Sequence, residues 1–193
     1  MDAKLIMALR NATGAGVLDA KNALEECGGD VGAAADMLRK KGQVKAAKRA
    51  ERETHEGLIA SYIHATGKVG ALVSVACESD FVARSEEFKA LVRDLAMHVT
   101  ASNPLYLSPD EIPFDVLAKE KEIASAEFAG SGKPANIIEK IVEGKLTKFS
   151  ADTCLLAQPF IKDEDVTVAE YIQRVIAKTG ENIQVRRFCR FSL

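Results

Sequence analysis

Residues 69–87 have the sequence VGALVSVACESDFVARSEE, which predicts a strand, a short connection and the start of a helix. The first half alternates strictly, which is typical of a half-buried β-strand. Its inward series is Val69, Ala71, Val73, Val75 and Cys77. Farther on, Ser85 precedes Glu86 and Glu87, which favours a helix capped by the serine with both acids at its positive end. An acid, Asp80, and a large aromatic, Phe81, therefore fall in a short strand-to-helix connection, a kind of segment that often has a function.

Two interpretations of this connection are open from the residue types alone. Phe81 could fold back as a cap on the core while Asp80 closes a turn, since most aromatic side chains are buried. Alternatively, both side chains could project from the scaffold toward a partner. The choice between them depends on the rest of the chain.

Composition excludes several classes of protein. A chain of 193 residues can bury about 70% of its unfolded surface, enough for one sizeable domain and a small one. The net charge of −2 gives no general attraction for nucleic acid or for an anionic membrane. No apolar run reaches the roughly 20 residues of a spanning helix, and the first residues do not resemble a signal peptide. We therefore expect a cytoplasmic protein without direct nucleic-acid or membrane binding.

Residues 1–42 predict three short helices with a small alanine-rich core. Glycines separate them at Thr13-Gly14-Ala15-Gly16 and at Gly28-Gly29, and Gly42 is expected to end the third helix. Val17 is expected to face inward with Ala20 and Leu24. Leu18 then remains at the surface as part of an exposed apolar patch.

Residues 43–56 predict a basic linker helix. The stretch from Arg39 to Arg52 has seven basic residues and one acid, but no aromatic residue that could stack on bases and no glycine-rich phosphate loop. A solvated linker is therefore favoured over a nucleic-acid site.

Residues 57–193 predict an α+β core. A hairpin from Leu58 to Cys77 is followed by helices that start near Ser85, Asp115, Pro134 and Thr167, and by a closing strand. Gly130-Ser131-Gly132 is expected to end the second of these helices, and residues 154–160 to run extended into the core. The third helix is expected to bury Ile138, Ile141, Val142, Leu146 and Phe149. The closing strand is expected to place Ile183, Val185, Arg187, Cys189 and Phe191 on one face, and helices on one side of an antiparallel sheet complete the architecture.

No constellation of residues indicates an enzyme. The three histidines are far apart, the four cysteines are scattered without a Cys-x-x-Cys pair, and no phosphate-binding loop is present. Cys77 and His64 could pair across the hairpin as a thiol nucleophile, but the inward position of Cys77 favours a buried, unreactive thiol. We expect no metal, no cofactor and no catalytic residue.

The connection at Glu78-Ser79-Asp80-Phe81-Val82-Ala83 resembles the elongation factor Ts family, the guanine nucleotide exchange factors of elongation factor Tu. That family usually has Thr where this chain has Ser79, which keeps the hydroxyl. Further similarity lies in the first three helices, which resemble a ubiquitin-associated (UBA-like) module, and in two late segments. The matching stretches are Leu9-Arg10, Thr13 to Gly16, Asp19, Lys21, Ala23-Leu24, Val44 to Lys48, Leu156 to Phe160 and Ile176 to Ile183. The chain is similar to the short form of the family, with a single core half.

The resemblance implies a mechanism and two groups of contact residues. Ser79, Asp80, Phe81 and Val82 would disturb the Mg²⁺ and phosphate site of elongation factor Tu and so promote GDP release. The N-terminal module would dock on the same partner through a second group, Arg10, Thr13, Val17, Leu18 and Lys21. The free edge of the closing strand implies a homodimer, because unpaired edges are usually covered or paired.

A different class of protein would explain the first module alone. Three such helices also suit a non-catalytic adaptor for ubiquitin-like or nascent-chain partners. An adaptor has no need of Asp80 and Phe81 on a strand-to-helix turn, so this connection is the feature that separates the two hypotheses.

Overall fold

The computed structural model describes residues 2–128 and 134–193, which form an α+β protein. The helices are α1 (Ala3–Thr13), α2 (Val17–Glu26), α3 (Val31–Ala47), α4 (Asp80–Arg84), α5 (Glu86–Ser102), α6 (Phe114–Glu127), α7 (Ala135–Thr153) and α8 (Val168–Thr179). The strands are β1 (Glu56–Ile63), β2 (Val69–Cys77), β3 (Pro159–Phe160), β4 (Asp163–Thr167) and β5 (Ile183–Ser192). Two compact units divide the chain, one of Met1–Thr100 with Ala169–Leu193 and the other of Ala101–Val168.

An antiparallel sheet of order β1-β2-β5 organises the first unit. The predicted hairpin is confirmed, with Glu56 opposite Cys77 and Ile63 opposite Gly70. The inward series of β2 is also confirmed, since Ala71, Val73, Val75 and Cys77 are buried. Helix α5 supplies much of the facing core with Phe88, Leu91, Leu95 and Val99, as its helical spacing requires.

A β-bulge at Arg186 changes the faces of β5. Val75 lies opposite Val185, but its neighbour Ser74 lies opposite Arg187, so Arg186 is the extra residue. An inserted residue reverses the alternation beyond it. The prediction that all five odd-numbered residues of this strand share one face is therefore wrong: Ile183 and Val185 are buried, whereas Cys189 and Phe191 lie on the opposite, exposed face.

The first three helices enclose the predicted alanine-rich core, which consists of Leu9, Ala20, Ala23, Leu24, Ala34 and Leu38. Val17 does not join it, because Val17 and Leu18 are both exposed. Helix α3 does not end at Gly42 either but continues to Ala47, and residues 48–55 are not helical, so the linker helix predicted for residues 43–56 is wrong. A Cβ at Gly42 would lie 3.8 Å from the side chain of Ala177 on α8, so the glycine packs closely in the middle of a helix and does not terminate it.

The second unit contains the pair α6 and α7 and a small hairpin of β3 and β4 that the sequence did not predict. Helix α6 begins at Phe114, next to its predicted start at Asp115, while the glycines expected to end it, Gly130-Ser131-Gly132, lie outside the described residues. Pro134 is the N-cap of α7. Only Val142 of the five residues expected to be buried on α7 is buried; the other four are partly exposed. Among the described residues, no helix is both long and apolar enough to cross a membrane.

Candidate functional site

The strand-to-helix connection after β2 presents Phe81 to solvent. Ser79 has extended backbone angles and is the N-cap of α4, and its hydroxyl accepts a hydrogen bond from the Val82 N–H at 3.4 Å. The side chain of Phe81 is 84% exposed on the first turn of this helix. The interpretation of Phe81 as a cap on the core is therefore wrong. Ala83, two residues later, is buried and attaches α4 to the unit.

Asp80 is paired within the same short helix. Its carboxylate lies 3.1 Å from the Arg84 guanidinium, and its side chain is 44% exposed. Val82 is half-buried, and its carbonyl oxygen accepts hydrogen bonds from the backbone and hydroxyl of Ser85. The four predicted residues 79–82 thus lie together, with the acid and the aromatic outward and the serine and valine inward.

Glu181 holds the base of this connection and was not among the predicted site residues. It accepts the Ser79 N–H at 2.9 Å and the Ser79 hydroxyl at 2.6 Å. Next to it, the Asn182 N–H donates to Glu78 at 2.6 Å. These partners are more than 100 residues apart, so no local pattern could have paired them.

Cys77 lies directly before the connection and is fully buried. Its thiol donates to the Ser79 carbonyl oxygen at 3.2 Å. Burial, chiefly, and the nearby carboxylates of Glu181 and Glu56 raise the pKa of Cys77 to about 11, so the thiol is protonated at neutral pH. His64 is exposed at the other end of the hairpin, and the two residues do not form a nucleophile pair.

The predicted contact residues of the N-terminal module differ in their surroundings. Arg10, Val17, Leu18 and Lys21 are exposed, and Lys21 forms a loose ion pair with Glu25 at 3.8 Å. Thr13 is half-buried and its hydroxyl serves its own turn, donating to the Leu9 carbonyl oxygen at 2.7 Å and accepting from the Ala15 N–H at 3.3 Å. Val17 and Leu18 together form a larger apolar patch than the sequence predicted.

Within residues 2–128 and 134–193, no three His, Cys, Asp or Glu side chains are grouped so that they could hold a metal ion. The connection presents an exposed aromatic ring and a neighbouring carboxylate, and its first residue is hydrogen-bonded to Glu181.

Comparison with known proteins assigns this arrangement to a family. Residues 21–176 match the family model described as "Elongation factor TS". The chain is 56% identical over 185 residues to elongation factor Ts of Geotalea uraniireducens, covering 96% of this chain and 86% of that protein. It is 52% identical over 193 residues to elongation factor Ts of Fervidobacterium nodosum, covering 100% of this chain and 98% of that protein, a match in length that agrees with the short form. The chain belongs to the elongation factor Ts family.

Proposed function

We propose that the chain releases GDP from elongation factor Tu through Phe81 and Asp80. Family membership makes it a non-enzymatic nucleotide exchange factor and implies elongation factor Tu as its partner. It also decides against the adaptor alternative. The residues that perform the exchange are our proposal.

Exchange requires differential binding. A protein that binds nucleotide-free elongation factor Tu more tightly than the GDP form must weaken GDP binding by the same factor. An acceleration of about ten-thousand-fold corresponds to about 5.5 kcal/mol of additional stabilisation in the transition state for release. A few well-placed side chains can supply this, and aromatic residues are common among such anchors.

The exposure of Phe81 is the observation that supports this proposal most directly. A phenylalanine ring that is 84% exposed contributes little to the fold, yet it stands on a helix whose base is hydrogen-bonded on both sides. We propose that the ring inserts between helices of the partner's GTPase domain. Asp80 then displaces the water and side-chain network around the partner's Mg²⁺, while Ser79 and Val82 maintain the geometry.

The N-terminal module, residues 1–42, supplies a second contact in this proposal. Val17 and Leu18 form its apolar centre, with Arg10 and Lys21 as charged neighbours and Thr13 as the residue that shapes the turn. Residues 43–56 connect it to the core of residues 57–193. Two contacts on one chain increase affinity because the second forms at high effective concentration.

Release of a fluorescent GDP analogue from elongation factor Tu tests the proposal. Phe81→Ala should slow catalysed release by about thirtyfold, which corresponds to the loss of one anchor of about 2 kcal/mol. Asp80→Ala should act in the same direction. Because both side chains face solvent, neither change should lower the unfolding temperature measurably.

Phe114→Ala is the matched control. Phe114 is also an exposed aromatic at a helix start, with 87% exposure, but lies in the second unit. Exchange by this variant should remain at the rate of the unchanged protein. If Phe81→Ala and Phe114→Ala have the same effect, the proposed site is wrong.

A homodimer is the second part of the proposal. The outward side of the sheet presents Ile59, Ile63, Leu72, Cys189 and Phe191, which we call the outer apolar face. Gly70 lies between Ile63 and Phe191 in the register, so the three form one continuous row. Contiguous exposed apolar patches often mark interfaces, and a two-fold dimer joins the same patch on each copy. We therefore favour face-to-face packing of two sheets over pairing of β5 edges.

We also propose a cytoplasmic location, where elongation factor Tu is available.

A further inference from the structure

Glu181 is hydrogen-bonded to Ser79, at the start of the connection that carries the proposed contact residues. It lies in the turn between α8 and β5, and its two carboxylate oxygens accept two hydrogen bonds from one residue, Ser79. The hydroxyl bond is short, at 2.6 Å, as expected when the acceptor is charged. The two hydrogen bonds therefore fix both the backbone and the side chain of Ser79.

The same hydroxyl connects Glu181 to the first turn of α4. A serine hydroxyl has one hydrogen and two lone pairs. Its hydrogen points to Glu181, and its oxygen accepts the Val82 N–H in the first turn of the helix. Glu181 thus sets the orientation of the N-cap, and the N-cap begins the helix on which Asp80 and Phe81 stand.

Helix α4 needs such an attachment because it has five residues. Helices of this length are not stable by themselves. Phe81 is exposed, and the ion pair of Asp80 with Arg84 lies within α4. Neither therefore fixes the direction of the helix relative to the sheet. Ala83 anchors the inner side of the helix, and the contact of Ser79 with Glu181 fixes its start.

We propose that Glu181 is a positioning residue for nucleotide exchange, acting through Ser79 on the direction of Asp80 and Phe81. This inference rests on the proposed function of those two residues. Asp80 and Phe81 form the tip of the connection. If the tip is already held in its binding direction, it loses less conformational freedom when the partner binds, so Glu181 increases the rate of nucleotide exchange without touching the partner.

Catalysed GDP release by Glu181→Gln gives the first test. The glutamine has nearly the same shape, but its amide oxygen can accept only one of the two hydrogens from Ser79, and its amide nitrogen accepts neither. Release should slow by about ten- to a hundredfold, the effect of displacing a group by about 1 Å. Glu86→Gln is the control, because Glu86 lies near the same connection and pairs with Lys89 instead of Ser79. It should retain the unchanged rate.

Coupling between the two residues gives the second test. Ser79→Ala keeps the backbone N–H of residue 79, and the amide oxygen of the introduced glutamine can still accept it. If Glu181 acts through Ser79, the double variant Ser79→Ala/Glu181→Gln should therefore be no slower than Ser79→Ala alone. Losses that add would overturn the inference. A second result would also overturn the inference: Glu181→Gln is unfolded under assay conditions, while Ser79→Ala remains folded and fully active. Glu181 would then act on the stability of the fold and not through Ser79.

Mobility of the tip gives a third test that does not involve elongation factor Tu. The chain contains no tryptophan, so Phe81→Trp introduces a single fluorescent reporter. Its time-resolved anisotropy should decay faster on the nanosecond scale when Glu181→Gln is added, and Glu86→Gln should leave it unchanged. Equal decay in both backgrounds would overturn the inference. If Glu181→Gln makes the tip mobile but Phe81→Ala catalyses GDP release at the normal rate, the proposed function is wrong, while Glu181 still orders the connection.

Discussion

The side-chain amide of Asn182 donates a hydrogen bond to the carbonyl oxygen of Arg52 at 2.8 Å, across 130 residues of sequence. The same nitrogen reaches the Ala50 carbonyl oxygen at 3.3 Å, and Arg186 donates to the Thr54 carbonyl oxygen at 2.9 Å. Residues 50–54 are thereby attached along the start of the closing strand, so the segment that follows α3 is held to the core.

Asn182→Ala should destabilise the protein. Asn182 is 2% exposed, and the change removes its donor from two backbone carbonyl groups. We expect a loss of about 1–3 kcal/mol in the free energy of unfolding, measured with urea. Trypsin should also cut the native variant faster after Arg49 and Arg52. Gln184→Ala, which removes an exposed contact to Ala50, should change both readings less; equal effects would contradict the central role of Asn182.

Ile63→Glu should dissociate the proposed dimer. Ile63 is 70% exposed on the outer apolar face, and a carboxylate there would be buried against its symmetry mate. Analytical ultracentrifugation should give the mass of two 20.8 kDa chains for the unchanged protein and of one for the variant. Ile123→Glu, on an exposed part of α6, should remain dimeric. A monomeric unchanged protein at micromolar concentration would refute the dimer.

Two glycine-to-alanine changes should have opposite signs. Gly57 has φ 152°, and a Cβ there would lie 2.8 Å from the Ala76 Cα and collide with the Val75 carbonyl oxygen. Gly57→Ala should therefore lower the free energy of unfolding by about 2 kcal/mol or more. Gly144 lies inside α7, and a methyl group added there would have open space within 4 Å. Gly144→Ala should raise the free energy of unfolding by about 0.5–1 kcal/mol, and thermal unfolding compares the two directly.

Alkaline pH should reveal the buried thiol of Cys77. Its pKa is about 11 in the folded protein against an ordinary value of 9.0, so between about pH 9 and pH 11 the unfolded chain binds fewer protons than the folded one. This contribution to stability is complete below about pH 9 and is lost as the pH rises through 11. Urea unfolding of Cys77→Val should lack that part of the decline. Parallel pH profiles for the two proteins would contradict the assignment.

Local patterns predicted the elements of the site but not the contacts that hold it. The alternation before Cys77 and the serine cap at Ser85 were sufficient for the hairpin and for α5, because both depend on neighbouring residues. The continuation of α3 through Gly42 depends on packing against Ala177, which overrides the low helix propensity of glycine. Nothing near Ser79 in the sequence indicates Glu181, since the two meet only in the folded chain.

The bulge at Arg186 reverses which residues of the closing strand face the core. Before it, odd-numbered residues such as Val185 point into the protein; after it, odd-numbered residues such as Phe191 point out. If Arg186 instead paired with Ser74 in regular register, every later residue would shift by one position, so Cys189 and Phe191 would turn inward and Phe188 outward. The pairing register of β5 beyond Arg186 therefore decides which of its side chains are buried in the core and which lie on the outer apolar face.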